Sequence, residues 1–127
     1  MLRTFDSPHL PTLEAVFESD NSIYLILELL ADGHLHSRIN QRMALFTQPE
    51  IKTFLRGMAK ALSEMHRYRV MHRDIKPENI MLRGKNGLDP VLVDLGLAAD
   101  VDSDDYLFYR CGTPGYVAPE VIACKKG

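Results

Sequence analysis

Two apolar runs near the start of the chain predict a β-hairpin. Residues 12–18 alternate loosely between apolar and polar, and residues 23–29 are rich in β-branched and aromatic side chains. The polar segment 19–22 between them is typical of a turn, and two such runs joined by a short turn form a hairpin. An Ala-Asp-Gly sequence at 31–33 ends the second strand, and a short helix is predicted at about 34–42.

The clearest helix prediction begins at Thr47. Thr47 and Glu50 have the spacing of a capping box, and Pro49 lies in the first turn, where its missing N–H is not needed. The pattern therefore predicts a helix to about Arg67 with one buried face. The apolar residues that recur at the spacing of that face are Ile51, Phe54, Leu55, Met58, Leu62 and Met65.

After the helix, the pattern changes to short extended segments and a loop. Extended segments are predicted at 69–72, 79–82 and 90–96, and a polar turn separates the last two. Residues 97–117 show no apolar period, and they contain glycine, proline and an acidic patch. We read them as one long loop. Loops beyond about 12–15 residues are uncommon in compact domains unless they are functional, so we expect a function for this one.

Composition excludes several classes of protein. The chain has 127 residues, enough for one domain or part of one, and its net charge of −2 indicates neither a nucleic-acid nor a membrane partner. The longest apolar run, 23–31, is much shorter than the roughly 20 residues of a membrane span. Cys111 and Cys124 are too few for a disulfide scaffold, and we expect reduced thiols. The expected location is the cytoplasm, with the nucleus as the alternative.

Unlike charges concentrate in the segment Met-His-Arg-Asp-Ile-Lys-Pro-Glu-Asn-Ile, residues 71–80. Pro77 blocks a helix at its own position and favours extended geometry at Lys76. The segment is therefore predicted to be a stiff loop on which Asp74, Lys76 and Asn79 converge on one spot.

These residue types suit the transfer of a phosphoryl group. Asp74 can accept a proton from a hydroxyl or orient it, and Lys76 can neutralise phosphate charge. Asn79 offers a hard oxygen ligand for magnesium. Asp94, which follows an apolar run and precedes Gly96, is well placed as a second metal ligand.

Three motifs resemble those of eukaryotic protein kinases. They look like the catalytic loop, the magnesium-binding motif and the end of the activation segment, in the order expected for the family. The motifs are His-Arg-Asp-Ile-Lys-Pro-Glu-Asn at 72–79, Asp-Leu-Gly at 94–96 and Gly-Thr-Pro-Gly-Tyr-Val-Ala-Pro-Glu at 112–120. The steps from Asp74 to Asp94 and from Asp94 to Glu120 also suit this family.

The resemblance implies an α+β, protein-kinase-like fold. It would comprise the end of the N-lobe sheet as a β-hairpin, the hinge, and the first half of the mainly helical C-lobe. The implied divisions of this partial kinase domain, 1–127, are the end of the N-lobe at 1–27, the hinge at 28–33, and the C-lobe through the activation segment at 34–127.

The resemblance also implies the reaction and its partners. A lysine two positions after Asp74 is the serine/threonine pattern, so the implied enzyme transfers the γ-phosphoryl group of ATP, with Mg²⁺, to a protein serine or threonine. Among kinase groups, the motifs at 72–79 and 111–120 most resemble those of the calcium/calmodulin-dependent kinase group. The implied partners are a protein substrate and an upstream kinase or a calcium sensor, acting through regions outside this chain.

Site residues are carried over from the family position by position. Asp74 would be the catalytic base, Lys76 would contact the transferred phosphoryl group, and Asn79 would complete the catalytic set and hold Mg²⁺ with Asp94. His72 and Leu95 would join the internal apolar spine. The implied cofactor-binding positions are Leu27 as gatekeeper, Glu28 and Leu30 in the hinge, Met81 beneath adenine, and Lys76 and Asp94 at the phosphates.

Three positions are expected to be regulatory: Arg73, Tyr109 and Thr113. The hydroxyl of Thr113 would reach toward Asp74 and Lys76. Arg73 is of the kind that pairs with an anion on the activation segment, and two sources of that anion remain open. One is phosphorylation of Tyr109 or Ser103. The other, slightly favoured, is constitutive charge from Asp102, Asp104 and Asp105.

Departures from the family leave an alternative function open. The sequence has no G-x-G-x-x-G loop and no V-A-I-K-type lysine, so it looks like the central part of a kinase domain. We expect the isolated chain to fold poorly and to show no ATP turnover. A pseudokinase or truncated scaffold is the alternative, although the intact Asp74, Asn79 and Asp94 oppose it. His34 replaces a glutamate common in relatives while Glu78 is kept, which leaves a preference for basic substrates open.

Overall fold

A computed structural model describes residues 5–41, 46–84, 87–103, 106 and 108–124. Within these ranges the α+β class is confirmed, with three two-stranded antiparallel sheets that pair β1 with β2, β3 with β6 and β4 with β5. The elements are β1 Leu13–Ser19, β2 Ser22–Leu27, α1 Leu35–Gln41, α2 Gln48–Arg67, β3 Val70–Met71, a 3₁₀ turn Pro77–Asn79, β4 Ile80–Arg83, β5 Asp89–Leu92, β6 Ala99–Asp100 and α3 Pro119–Ala123.

The predicted hairpin is confirmed as β1 and β2. Strand β2 ends at Leu27, two residues before the predicted end, because Glu28 directs its carboxylate to Arg83 and Leu29 is 89% exposed. The apolar side chains of β2 are all more than two-fifths exposed. The hairpin therefore presents apolar surface that the described part of the chain does not cover.

The predicted capping box of α2 is confirmed, but its predicted face is partly wrong. The backbone N–H of Thr47 donates to the Glu50 carboxylate, and the Glu50 N–H donates to Oγ1 of Thr47. Met58 and Met65 are buried as predicted, whereas Ile51 and Leu55 are 44% and 59% exposed. The helix is rotated relative to the predicted face: its buried residues include Gly57 and Ala61, and Gly57 lies against Pro90 of β5.

The core joins the start of the chain to α2 and β5. His9 and Leu10 are buried, Nδ1 of His9 donates to the Pro90 carbonyl at 2.9 Å, and the Leu92 N–H donates to the His9 carbonyl at 2.9 Å. A Cβ placed on Gly57 would lie only 2.6 Å from the Pro90 ring and 3.1 Å from the His9 ring. The buried apolar cluster contains Leu10, Leu35, Met58, Ala61, Met65, Val70, Ile80, Leu82, Leu88 and Leu92.

The segment predicted as one long loop, residues 97–117, contains one short strand, and a short helix follows it. Strand β6 pairs with β3, placing Asp100 opposite Val70 and Ala99 opposite Met71. Helix α3, which the sequence pattern did not predict, begins after Ala118. The described residues include no helix whose length and apolar character would let it cross a membrane.

Candidate active site

The stiff loop predicted around Pro77 is confirmed. Lys76 is extended, with φ −155° and ψ 162°, and Pro77 begins the 3₁₀ turn, in which the Asn79 N–H donates to the Lys76 carbonyl at 3.0 Å. Arg73 has a φ of +67°, a left-handed conformation that non-glycine residues rarely adopt. Such strained positions are concentrated at functional sites in proteins.

Asp74 is the centre of a compact polar cluster. Its Oδ1 accepts a hydrogen bond from the Thr113 hydroxyl at 2.7 Å. Its Oδ2 lies 2.9 Å from Nζ of Lys76 and accepts from the Asn79 amide at 3.0 Å. Nζ of Lys76 also donates to Oγ1 of Thr113 at 2.7 Å, which closes a triangle. The structure thus brings Asp74, Lys76, Asn79 and Thr113 together, whereas the roles expected for them remain predictions.

The cluster favours the ionised forms of its two charged groups. Burial raises the pKa of the Asp74 carboxyl, but hydrogen bonds from Thr113, Lys76 and Asn79 and the charge of Lys76 outweigh it, so the pKa lies below its ordinary value. The hydrogen bond to Asp74 raises the pKa of Lys76, although partial burial opposes this rise. Asp74 is therefore a carboxylate near neutral pH and can accept a hydrogen bond from a hydroxyl.

Backbone contacts hold Asp94 next to this cluster. The Val93 N–H donates to the Asn79 carbonyl at 2.9 Å, and Nε2 of the buried His72 donates to the Val93 carbonyl at 3.0 Å. Asp94 follows with a φ of +64°, and its Oδ1 accepts from the Gly96 N–H at 3.1 Å. The charge of Asp94 contributes to the raised pKa of Lys76, so the two side chains share one electrostatic environment.

The donor set fits a magnesium ion bound together with a nucleotide. Because the Asn79 amide nitrogen is committed to Asp74, the oxygen is the atom that Asn79 can offer, and Asp94 adds a carboxylate. The described residues contain no group of three or more His, Cys, Asp or Glu side chains suited to a metal. Magnesium commonly uses one or two protein oxygens and completes its octahedron with water and substrate phosphates.

An apolar cavity of about 510 Å³ opens between the hairpin and the segment after Val93. Its lining includes Leu27, the predicted gatekeeper, and Asp94, together with Leu25 and Leu95. The other predicted cofactor positions, Lys76, Glu28, Leu30 and Met81, lie outside this lining. Lys76 belongs to the cluster around Asp74. The other three belong to the segment that follows β2 and to strand β4, which run side by side.

Arg73 holds the activation segment through uncharged partners. Its Nε donates to the Leu97 carbonyl at 2.6 Å, its Nη1 donates to the Phe108 carbonyl at 2.7 Å, and its guanidinium lies 5.3 Å from the Tyr106 ring centre. The ring of Tyr109 packs edge-on against Tyr106. Arg73 is thus one aromatic ring away from the predicted phosphorylation site.

The favoured source of an anion for Arg73 is wrong for Asp102. The Asp102 carboxylate accepts two hydrogen bonds from the Arg69 guanidinium. Nε donates to Oδ2 at 2.9 Å, and Nη2 donates to Oδ1. Arg69 is held there because the Val101 N–H donates to its carbonyl at 2.7 Å. Asp104 and Asp105, the other two residues of that hypothesis, lie outside the described residues.

The sequence pattern did not single out Arg83, which joins three segments near the predicted hinge. Its guanidinium binds the Glu28 carboxylate at 2.7 and 2.9 Å, and its Nε donates to the Pro8 carbonyl at 3.3 Å. No local signal could have identified it, because Glu28 and Pro8 are 55 and 75 residues away along the chain.

Comparisons with known proteins agree with this geometry. The family model described as protein kinase domain matches residues 1–127. A probable myosin light chain kinase of Dictyostelium discoideum is 37% identical over 122 residues, which are 96% of this chain and 39% of the relative. The phosphorylase b kinase gamma catalytic chain, liver/testis isoform, of Homo sapiens is 34% identical over 117 residues, 92% of this chain and 28% of the relative.

A third relative, myosin light chain kinase A of Dictyostelium discoideum, is 30% identical over 123 residues. Those residues are 96% of this chain and 41% of that protein. The chain therefore spans well under half the length of these curated relatives.

Proposed function

The chain belongs to the protein kinase domain family, and we propose that it supplies the catalytic loop and activation segment of a serine/threonine protein kinase. The protein would transfer the γ-phosphoryl group of ATP to a serine or threonine hydroxyl of a protein substrate. The names of the similar proteins, myosin light chain kinases and a phosphorylase b kinase catalytic chain, support this class.

One observation carries the proposal: an ionised, mostly buried Asp74 is surrounded by donors at 2.7–3.0 Å. The Thr113 hydroxyl donates to Oδ1 of Asp74, and Lys76 and Asn79 donate to Oδ2, so the carboxylate is held in one fixed orientation. The same three donors keep its pKa low, which suits a base that orients a hydroxyl until the proton leaves. A small cavity of about 190 Å³, lined by Asp74, Thr113, Cys111 and Tyr116 among others, opens beside the base and offers room for an acceptor chain.

The other residues position charge rather than form covalent bonds. Lys76 is positively charged, and its Nζ lies 2.9 Å from the Asp74 carboxylate. In this position it would contact the γ-phosphoryl oxygens. Asn79 and Asp94 would hold the magnesium ion, which when bound supplies charge neutralisation at the ATP phosphates. Asp74 accepts the proton of the serine or threonine hydroxyl as that oxygen attacks. The rate would come mainly from positioning and electrostatic stabilisation.

Regulation and location extend the proposal. We place the protein in the calcium/calmodulin-dependent kinase group, on its motifs and on the names of similar proteins. We also propose that an upstream kinase acts at Tyr109 and that the protein is located in the cytoplasm. The position of Tyr109 next to Tyr106, whose ring lies beneath Arg73, supports a regulatory part for that tyrosine.

The test is phosphoryl transfer by the full-length protein that contains this chain. With Mg²⁺ and ATP labelled at the γ-phosphate, we expect labelled phosphoserine and phosphothreonine in a mixed protein substrate. Asp74→Asn should lower the rate by about 100-fold or more, because general-base catalysis contributes about 10²–10⁴-fold. Asp20→Asn, in the turn between β1 and β2, is the matched control and should retain the wild-type rate.

Two results would contradict the proposal. One is a full-length wild-type protein that is folded and yet transfers no label. The other is an Asp74→Asn variant whose rate equals that of Asp20→Asn.

A further inference from the structure

The segment that follows β2 is bound to strand β4 at several points. The Leu82 N–H donates to the Gly33 carbonyl at 3.0 Å, and the Gly84 N–H donates to the Asp32 carboxylate at 2.8 Å. His34 and Met81 form an isolated antiparallel bridge. This segment, residues 28–34, contains the backbone expected to pair with adenine, so β4 acts as its support.

Glu28 and Arg83 close the far end of this support. The carboxylate and the guanidinium meet through two parallel hydrogen bonds of 2.7 and 2.9 Å, the geometry that makes such pairs strong and directional. The backbone N–H of Glu28 also donates to the Thr12 carbonyl, and Oε1 of Glu28 accepts from the Thr12 N–H. Arg83 in turn donates to the Pro8 carbonyl. The pair therefore fixes β4, the end of β2 and the segment before β1 relative to one another.

The pair is partly shielded from water and remains charged near neutral pH. The side chain of Glu28 is 17% exposed and that of Arg83 is 36% exposed. The hydrogen bond from Arg83 lowers the pKa of Glu28, although burial opposes this effect. Shielding of this degree makes the pair more persistent than a fully exposed ion pair, whose geometry side-chain entropy and salt readily disrupt.

We infer that Arg83 is a positioning residue for nucleotide binding, which holds Glu28 so that the backbone of residues 28–30 is preorganised to pair with adenine. The inference rests on the proposed function, because only in a protein kinase would this backbone be expected to pair with adenine. Arg83 contacts Glu28 and Pro8, and none of its contacts in the described structure is with Asp74, Lys76 or Asn79. Its effect should therefore appear in nucleotide affinity and not in the chemical step.

The experiment compares three variants of the full-length protein. Arg83→Ala removes the guanidinium group that makes two hydrogen bonds to Glu28. Glu28→Gln keeps the length of the side chain but loses its charge. Arg67→Ala is the matched control, because it removes an arginine from the exposed ion pair with Glu64 on α2. KM for ATP and kcat are measured for each, and the affinity for Mg²⁺–ADP is measured by direct titration without turnover.

We expect Arg83→Ala and Glu28→Gln each to raise KM for ATP and Kd for ADP about fivefold, a loss typical of one coupled interaction. kcat should stay within about twofold, and Arg67→Ala should match the wild type in all three quantities. The double variant should be no worse than the more affected single variant, because both substitutions remove the same pair.

Contrary results are equally specific. A lower kcat at unchanged KM and Kd, or higher activity at unchanged Kd, would overturn the inference while the kinase assignment stood. Equal effects of Arg67→Ala and Arg83→Ala would also overturn it. If Arg83→Ala does not fold, the more conservative Glu28→Gln decides the outcome alone. Kd for ADP is measured without turnover, so the two proposals are tested independently. If the wild type transferred no phosphoryl group, that result would contradict the proposed function and would leave the measurement of Kd unaffected.

Discussion

Thr113 shares one hydroxyl between the two charged residues of the site. It donates to Asp74 and accepts from Lys76, both at 2.7 Å, and so bridges the carboxylate and the ammonium group, which also contact each other directly. The hydroxyl belongs to the activation segment, 39 residues after Asp74. The state of that segment is thereby linked directly to the ionisation of the base.

Removal of this hydroxyl should be visible in the pH profile. Thr113→Ala takes away a donor that lowers the pKa of Asp74, so the pKa rises toward its ordinary value. Since Asp74, as the proposed base, would act in its ionised form, the acid limb of kcat/KM should move to higher pH in the variant. The rate should fall about tenfold, the cost of one hydrogen bond to a charged group.

Thr113→Ser is the matched control for that experiment, since it keeps the hydroxyl and loses only a methyl group. Its acid limb should coincide with that of the wild type. Indistinguishable profiles for the serine and alanine variants would show that the hydrogen bond does not tune Asp74.

His72 makes the stability of the site dependent on pH. Burial lowers its pKa below the ordinary 6.5, against smaller opposing effects of Val93, Asp74 and Asp94. The unfolded chain takes up this proton as pH falls below 6.5 while the folded protein resists it, so the free energy of unfolding should decrease there. Above that pH the contribution is fully present.

Chemical unfolding of the full-length protein at several pH values tests this. The wild type should lose more stability between about pH 6.5 and 5 than His72→Gln, because the variant has no imidazole to protonate. Asp74, whose pKa is lowered, loses its contribution only at more acidic pH and does not interfere. Parallel curves for the two proteins would contradict the prediction.

At the scale of the element, local signals were reliable and distant contacts were not visible. The hairpin and the start of α2 at Thr47 depend on neighbouring residues, and the sequence pattern predicted both. The pattern did not predict the 3₁₀ turn, because Pro77 was expected to block a helix at its own position. The exposed Ile51 and Leu55 were assigned to the buried face because periodicity does not reveal which side of a helix finds a partner. The side of α2 that is buried here includes Gly57, which contacts Pro90 of β5.

That contact makes Gly57 intolerant of a methyl group. Gly57→Ala would place a Cβ 2.6 Å from the Pro90 ring, and the fixed ring cannot rotate away. Alanine favours helix by about 1 kcal/mol over glycine, yet overpacking should dominate and destabilise the protein by about 1–3 kcal/mol. Thermal and chemical unfolding of the full-length protein measure the change.

Gly87→Ala is the control, because an added Cβ there meets its nearest atoms at 3.7 and 3.9 Å. Its stability should differ from that of the wild type by less than about 0.5 kcal/mol. A Gly57→Ala variant as stable as the wild type would show that helix and strand can separate without cost.

At the scale of the whole molecule, the described part of the chain forms a core around α2 and β5, and the hairpin stays outside this core. The buried apolar cluster joins α2, β3, β4 and β5, whereas the apolar side chains of β2 stay exposed. Two-stranded hairpins are marginally stable in water unless they pack against other elements. The motifs could be read from the sequence, but which surfaces find cover depends on tertiary contacts such as those of His9 and Arg83.

The exposed hairpin leads to a prediction for the 127-residue chain in isolation. We expect rapid amide exchange in β1 and β2, slow exchange in α2 and β5, and no measurable phosphoryl transfer from ATP. Hydrogen exchange detected by mass spectrometry and a γ-phosphate transfer assay would check this, with the full-length protein assayed in parallel. Robust transfer by the isolated chain, or uniform protection across β1 and α2, would contradict the prediction.

The anchoring of His9 by Pro90 has a consequence for synthesis on the ribosome. The two residues are 81 positions apart, which corresponds to roughly 4–16 seconds of translation at about 5–20 residues per second. Throughout that interval Leu10, which ends almost completely enclosed, lacks the part of its enclosure that β5 supplies. The beginning of the chain is therefore among its last parts to be secured, and a pause in translation before residue 90 would prolong its exposure.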